Sequence, residues 1–304
     1  MLLPDMFVWF GKHGIVLPES MTLRDPTVKL NIFHMFGNDD GWVATVLIGL
    51  CLSSCCLTIG CLTRIATITV FVILASLYHR NPYLLNSGDT YMRMLAFWLI
   101  FSPSGKMLSF DHWLACRRFA GPPKKASASP IWSLRLLQIQ MCLVYAQSFF
   151  AKLSGSTWLD GTAVYYSSRL VDLHRLAIPY VFDHLWTCKL LTWGTLAIEL
   201  ALFTLIWWRQ ARYFVLAAGV IQHLVIEWHM NIPVFQWLMI VSYVLFIDGK
   251  DLTRWLGMLH SSIVPQIGDR HLAWQWPIKP SLQLQASPKS KKAVTKETIE
   301  VTGK

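Results

Sequence analysis

Apolar residues gather into seven stretches that are long enough, and free enough of charge, to read as helices crossing a bilayer. They run from about residue 42 to 59, 65 to 77, 91 to 102, 131 to 151, 186 to 208, 213 to 228 and 234 to 247. Residues 1–40 are mixed and punctuated by Pro4, Gly11, Gly14, Pro18 and Pro26, which argues against a signal peptide or an additional span there. Between the stretches lie a polar elbow (His79 to Asp89), a basic loop (103–130, with Lys106, Arg117, Arg118, Lys124 and Lys125) and a long loop from Lys152 to Leu185 with room for an interfacial helix. The pattern predicts an all-α integral membrane protein, a multi-pass helical bundle of about seven spans occupying residues 1–248. A polar tail, 249–304, follows, with disorder expected from about residue 277, where Lys, Ser, Thr and Gln dominate. No internal repeat is visible.

Composition agrees. Of the 304 residues 54% are hydrophobic and 14% charged, whereas a soluble domain carries roughly a quarter charged residues. Fifteen tryptophans suit a chain with two interfaces to anchor. The net charge of +10 falls largely in a loop and the tail, as flanks of spans do, and no helix-turn-helix, zinc finger or RNA-binding motif accompanies it, so nucleic acid is excluded as a partner. The lysines of the tail can meet an anionic leaflet or simply keep the tail soluble. The seven cysteines form no CxxC pair and mostly sit in apolar runs, where they read as packing residues.

Chemistry is sought where polar groups enter apolar stretches, because each is costly there. Lys152 stands where the fourth stretch leaves the membrane; a desolvated lysine loses its proton readily and can serve as a base. Gln138, Tyr145 and Lys152 recur every seven residues on one stripe of that helix, and Gln140 and Gln147 form a second, nearly opposite. Arg135 lies near its start. Interhelical hydrogen bonds are the plain explanation for the glutamines. Glu199 lies deep in the fifth stretch, to be paired with an arginine or glutamine of the fourth, or to carry protons. In the sixth, His223 and Glu227 are one turn apart, as an acid/base pair, a structural pair or two metal ligands would be, but no third ligand follows at helical spacing. With seven spans, Asp89, Lys152 and the end of the sixth span share the outer face, where an acid, a base and a histidine can meet.

Several of these segments, in order, resemble the HTTM (horizontally transferred transmembrane domain) family, whose best-known relative is the membrane part of vitamin K-dependent gamma-carboxylase. They are Phe10-Gly-Lys-His-Gly-Ile-Val-Leu-Pro18; Arg80-Asn81 with Asn86-Ser-Gly-Asp89; Leu95-Ala-Phe97 leading to Leu108-Ser-Phe-Asp111; Arg135 with Gln140; Ala151-Lys-Leu153 with Trp158 and Gly161; Glu199; His223; and His229-Met-Asn231 to Ser242-Tyr243. The resemblance covers roughly residues 7–248. It implies that Lys152 is the base that deprotonates a reduced quinone such as vitamin K hydroquinone; Asp89 and His223, read above as meeting it at the outer face, are the assisting catalytic groups of such an enzyme. Glu199, Arg80, Gln140, Glu227 and Asn231 then support them. Three departures stand out. The carboxylase has a histidine in the elbow where this chain has Gly88-Asp89. It has a large lumenal substrate-binding region with no counterpart here. The family pattern also begins with one more span, before the Phe10 motif, which suggests a start upstream of Met1 or a lost helix.

Two functions follow from the resemblance. One is a quinol-linked enzyme that modifies a peptide or a lipid at the outer membrane face; the missing substrate-binding region argues against glutamate carboxylation itself. The other is a non-catalytic accessory membrane protein in peptide maturation or export, since one branch of the family resembles the membrane component that matures a bacterial peptide toxin. A transporter has weak backing, since the sequence shows no paired broken helices or repeat of the kind such folds use. The lipid bilayer and, in the second case, another membrane protein are the partners. The expected location is a bacterial cytoplasmic membrane. Seven spans place residues 63–64, the 103–130 loop, the 209–212 turn and the tail on one side, which holds most loop Lys and Arg and is therefore cytoplasmic. A C-terminal tag should accordingly be protected from an impermeant reagent added outside intact cells; labelling there would overturn the assigned orientation.

Overall fold

The computed structural model describes residues 5–14, 31–33, 39–81, 86–106, 109–118, 131–173, 175–176, 180–232 and 234–263. The chain divides into a helical body, Met1–His260, and a separate unit, Ser261–Lys304. The tail expected to be disordered from about residue 277 lies outside the described residues, as do Lys124 and Lys125 of the basic loop.

Among the described residues the regular structure is helical, without strands. The helices are α1 (Asp5–Phe10), α2 (Asp40–Ile59), α3 (Thr63–Arg80), α4 (Ser87–Phe101), α5 (Phe110–Arg118), α6 (Ile131–Leu153), α7 (Ser156–Leu159), α8 (Ala163–Ser167), α9 (Leu185–Thr204), α10 (Arg212–His229), α11 (Phe235–Ser242) and α12 (Gly249–Ile263). Short 3-10 turns extend α9 through Trp207 and α11 through Phe246. Each of the seven apolar stretches is thus a helix. Two of them, Asp40–Ile59 and Leu185–Trp207, are long and apolar enough to cross a bilayer by length and composition.

The helix ends lie where local chemistry puts them. Asn86 accepts hydrogen bonds from the N–H groups of Gly88 and Asp89, and the Asp89 carboxylate accepts one from Asn86 N–H at 3.0 Å. This reciprocal cap starts α4 inside what the sequence reads as a polar elbow. Gly60 ends α2 in the left-handed conformation. The long loop after Lys152 is likewise structured, by α7, α8 and a 3-10 turn at Val171–Leu173.

Neighbours in sequence pack as antiparallel neighbours, and α11 returns to α4, so that α4, α6, α9, α10 and α11 close a ring. Tyr91, Met141, Cys142, Tyr145, Leu202, Val215, Leu216, Met239 and Tyr243 fill it. A second core, with Phe10, Phe33, Val43, Leu47, Ile73 and Leu77, joins α1 to the α2–α3 hairpin. The two ends of the ring differ. At one, Arg135 lies over Trp207 and Arg212 pairs with Asp248. At the other, α6 gives way to α7 and α8, which continue along α9 toward its start: Trp193 Nε1 donates to the Leu159 carbonyl and Val164 N–H to Thr192 Oγ1. Gly161 makes the turn between α7 and α8, at φ 83° and with Trp193 and Lys189 so close that a Cβ would touch both.

Asp111 holds the α2–α3 turn from a distance. Its carboxylate accepts from Leu62 N–H, Thr63 N–H and the Thr63 hydroxyl, each at 2.9 Å, and so caps α3 beside Leu62, a non-glycine residue at φ 47°. The Thr63 N–H above all holds the Asp111 carboxyl below its usual range; burial opposes it, and the Leu62 N–H and the Thr63 hydroxyl add to the lowering. A depressed folded value means that this contact stabilises the fold above the unfolded value of about 3.9 and stops doing so as pH falls through the lower folded value. Asp111→Ala should cost about 1 kcal/mol near neutral pH, measured by thermal unfolding in lipid. The difference from the parent should close in acid below both values, and a gap independent of pH would refute the charged-cap reading.

Candidate functional site

Side chains on a helix tilt toward its N-terminus. In the antiparallel pair α6–α9 that tilt sends Lys152, in the last turn of α6, inward toward Glu199, and tilts Glu199 back toward it. The two form an ion pair. Lys152 Nζ also donates to Ser148 Oγ, one turn earlier, at 2.8 Å, and Ser148 Oγ lies 3.3 Å from Glu199 Oε1. The ammonium sits 5.0 Å from the centre of the Trp158 ring, a cation–π contact made by α7. Glu199 is the deeper partner: its side chain is 6% exposed and that of Lys152 20%. Glu199 Oε2 is buried without a hydrogen-bond partner among the described residues.

The partner of Glu199 is therefore Lys152, and not the arginine or glutamine expected from sequence. Arg135 donates instead to Gln138 at 3.0 Å, Gln138 donates to the Leu245 carbonyl at 2.7 Å, and Gln140 receives the Trp98 indole N–H at 3.4 Å. The stripe Gln138–Tyr145–Lys152 does face the interior, each member reaching a different neighbour.

Tyr145 is the middle of that stripe and the hub of a second cluster. Its hydroxyl is 2.7 Å from His223 Nε2 and 2.6 Å from the Tyr243 hydroxyl. His223 Nδ1 is hydrogen-bonded to Gln236 Oε1. The inventory of donors orients the chain. An amide oxygen only accepts, so Nδ1 carries the imidazole proton and Nε2 is an acceptor; Tyr145 donates to it, and Tyr243 donates to Tyr145. All four groups are buried. Gly219, one turn before His223 on α10, makes room for Tyr243, whose hydroxyl would collide with a Cβ there. Sequence reading passed over Gln236 and Gly219. The amide stood in a short apolar run, thirteen residues and a chain reversal away from the histidine it meets, and glycine shows its use only once the opposing tyrosine is in place.

The remaining candidates are dispersed. Asp89 caps α4 and is not drawn into either cluster. Arg80 is buried at the end of α3, donating from Nε to the Phe10 carbonyl at 2.7 Å and lying 4.4 Å over the Phe33 ring. It ties down the first segment. Glu227 pairs at 2.6 Å with Arg175, in the segment after α8. There the Asn231 N–H donates to the Leu173 carbonyl at 2.7 Å, while the ring of His229 stacks on Phe182 at 4.1 Å. The candidate site thus comprises Lys152, Glu199 and Ser148 with Trp158, and Tyr145, His223, Tyr243 and Gln236 form a second buried cluster. Gly219→Ala should destabilise the bundle by about 1–3 kcal/mol by pushing Tyr243 away. It should also release the Tyr145–Tyr243 hydrogen bond, which ultraviolet resonance Raman of the tyrosines reads; unchanged tyrosine bands would show that the close approach is not needed.

A model of the HTTM domain matches residues 24–250, a range that contains both clusters and excludes the Phe10 motif. The uncharacterised protein YitO of Bacillus subtilis (strain 168) is 26% identical over 149 residues, 47% of each chain, so the match spans about half the length of that relative. No solved structure matches. With most of its length, and both clusters, inside the matched region, the chain belongs to the HTTM domain family, a family of membrane domains related to gamma-carboxylase.

Proposed function

We propose that the protein is a multi-pass membrane enzyme that uses the Lys152–Glu199 pair to take a proton from a membrane-soluble hydroxyl compound, a reduced quinone in the first instance, in order to modify a peptide or lipid at the outer face. The observation that carries the reading is the pair itself: an amine and a carboxylate in contact inside an apolar bundle, beneath an aromatic ring. Exposed large apolar side chains on several helices, among them Ile48, Leu52, Leu143, Leu190, Trp193, Phe214 and Ile221, support insertion in lipid. Arg64, Lys106, Arg117, Arg118, Arg209 and Arg212 cluster at the helix ends remote from Lys152, which supports a cytoplasmic location for that end and for the C-terminus.

Movement of a proton from Nζ to Glu199 leaves a neutral amine. Lys152 then takes the hydroxyl proton and becomes an ammonium beside the anion it has generated, while Ser148 and Trp158 hold it in place. Glu199 Oε2, buried and free to accept, fits a hydroxyl donor. A bound quinol would supply oxygen-activating chemistry. The same contacts also favour a second reading, a non-catalytic accessory protein. The ammonium is already engaged by Ser148 and Glu199, as it would be in a purely structural tie between α6 and α9.

Quinol-dependent oxygen uptake by the full chain in lipid separates the two. Lys152→Met should lower the rate at least ~100-fold, the usual worth of a positioned base. Because that change leaves Glu199 buried and alone at a cost of about 3–5 kcal/mol, Lys152→Met/Glu199→Gln serves as the folded control and should be equally inactive. Uptake unaffected by either variant, or no uptake by the folded parent, would reject the enzyme and direct attention to co-purifying partners.

A further inference from the structure

At the outer end of the ring, the segment that joins α8 to α9 is firmly held on one side and bare on the other. Its backbone is tied to the end of α10. Arg175 N–H donates to the His229 carbonyl at 2.9 Å, Asn231 N–H to the Leu173 carbonyl at 2.7 Å, and His229 Nδ1 to the Leu176 carbonyl at 3.0 Å. Phe182 is buried and stacked on His229. Its arginines are engaged as well: Arg169 with Asp183, the Tyr165 ring and the carbonyls of Tyr165 and Phe182, and Arg175 with Glu227. The outward side chains are large and apolar. Val171 is 87% exposed, Tyr180 77% and Trp186 68%, and Tyr166, Leu170 and Leu176 are each more than half exposed. Tyr180 stands at φ 70°, where a bulky residue is rarely found, in a turn closed by its N–H on the Asp183 carboxylate. A segment so well tied does not bare these residues for want of packing. Apolar surface of this kind is driven out of water, so the face fits other surroundings.

The helix α9 indicates what those surroundings are. Trp186, Leu190, Trp193, Ala197 and Leu200 recur at intervals of four and three residues and are exposed along one stripe. That helix is long and apolar enough to cross a bilayer. The apolar face of the segment runs into this stripe at Trp186, so lipid against the stripe is lipid against the segment. Tyr166, Tyr180 and Trp186 also carry the amphipathic rings that settle at the headgroup level.

We propose that the segment between α8 and α9 is a membrane anchor, seated at the headgroup level of the outer leaflet through Leu170, Val171, Leu176, Tyr180 and Trp186. The anchor fixes the depth of the bundle. Glu199 lies thirteen residues beyond Trp186 on α9, about 20 Å of helix rise. With Trp186 at the headgroups, the Lys152–Glu199 pair is deep in the hydrocarbon, and α7 and α8 stand beside α9 in the outer half of the bilayer. A reactant then comes to the pair through lipid, which selects the lipid from the two substrate classes proposed above. This consequence rests on the catalytic reading of the pair; the anchor itself does not.

Paramagnetic quenching reads the depth of the segment directly. The full chain, with fluorotyrosine at its nine tyrosines, is placed in nanodiscs of phosphatidylethanolamine and phosphatidylglycerol. The fluorine signals of Tyr166 and Tyr180 are identified by their loss in Tyr166→Phe and Tyr180→Phe. One sample contains a lipid with a nitroxide near the glycerol end of its acyl chain, the other a water-soluble gadolinium chelate. Both signals should lose intensity mainly to the lipid-borne nitroxide. Loss mainly to the chelate would place the segment in water, and loss to neither would show that protein, such as a second copy of the chain, covers it; either result overturns the anchor. If one variant fails to fold, the signal identified by the other carries the test. Oxygen uptake does not enter the measurement, so the anchor and the enzymatic reading stand or fall separately.

Discussion

An amine and a carboxylate inside an apolar bundle must find each other, and most of this architecture follows from that requirement. Either charge left alone would cost about 3–5 kcal/mol, which is a large part of the stability a domain possesses. Lys152 and Glu199 therefore couple the register of α6 to that of α9. The tilt of side chains toward helix N-termini makes an antiparallel pair the arrangement in which they meet. The pair also explains why the chain does not simply leave after α6. The segment through Trp158 and Gly161 contributes an aromatic face to the ammonium and anchors itself on Thr192 and Trp193.

The second polar cluster obeys the same constraint with weaker groups. Interhelical hydrogen bonds in lipid average about 0.6 kcal/mol each, so Tyr145, His223, Gln236 and Tyr243 together add little more stability than well-packed apolar residues would. What they add is a unique arrangement, because an unsatisfied donor or acceptor in such surroundings penalises every alternative packing. Gly219 is part of this economy of space: the absence of one methyl group on α10 lets a phenol hydroxyl reach α6.

Polar residues outside these clusters mostly shape the scaffold. Asp89 and Asp111 both cap helices, one within its own segment and one across a gap of nearly fifty residues, 48 from Thr63. Arg80 secures the N-terminal segment to the end of α3, and the Arg175–Glu227 pair secures the segment beyond α8 to the end of α10. The conspicuous charges of the elbow and of the sixth apolar stretch are thereby accounted for by structure.

Helix positions were legible from the chain because an apolar run of fixed length can satisfy its backbone only by becoming a helix. All seven stretches accordingly appear as helices, with ends that shift by a few residues where caps such as Asn86–Asp89 intervene. The candidate residues were legible in part for a related reason: Lys152, Glu199 and His223 stand out because charge and imidazole are costly where they lie. Their pairings were not legible. A heptad stripe shows that Gln138, Tyr145 and Lys152 face one way, but which neighbour each meets depends on the order and tilt of helices around the ring. The chain is silent on that, because any polar partner at the right depth would satisfy the same local rule. Thus sequence alone determined the helices and the residues that must be paired, through hydrophobic length and the cost of burying charge. Only the tertiary structure decided that Lys152 meets Glu199, that Glu227 turns to Arg175, and that Gln236 orients His223, because those choices depend on distances between segments far apart in the chain.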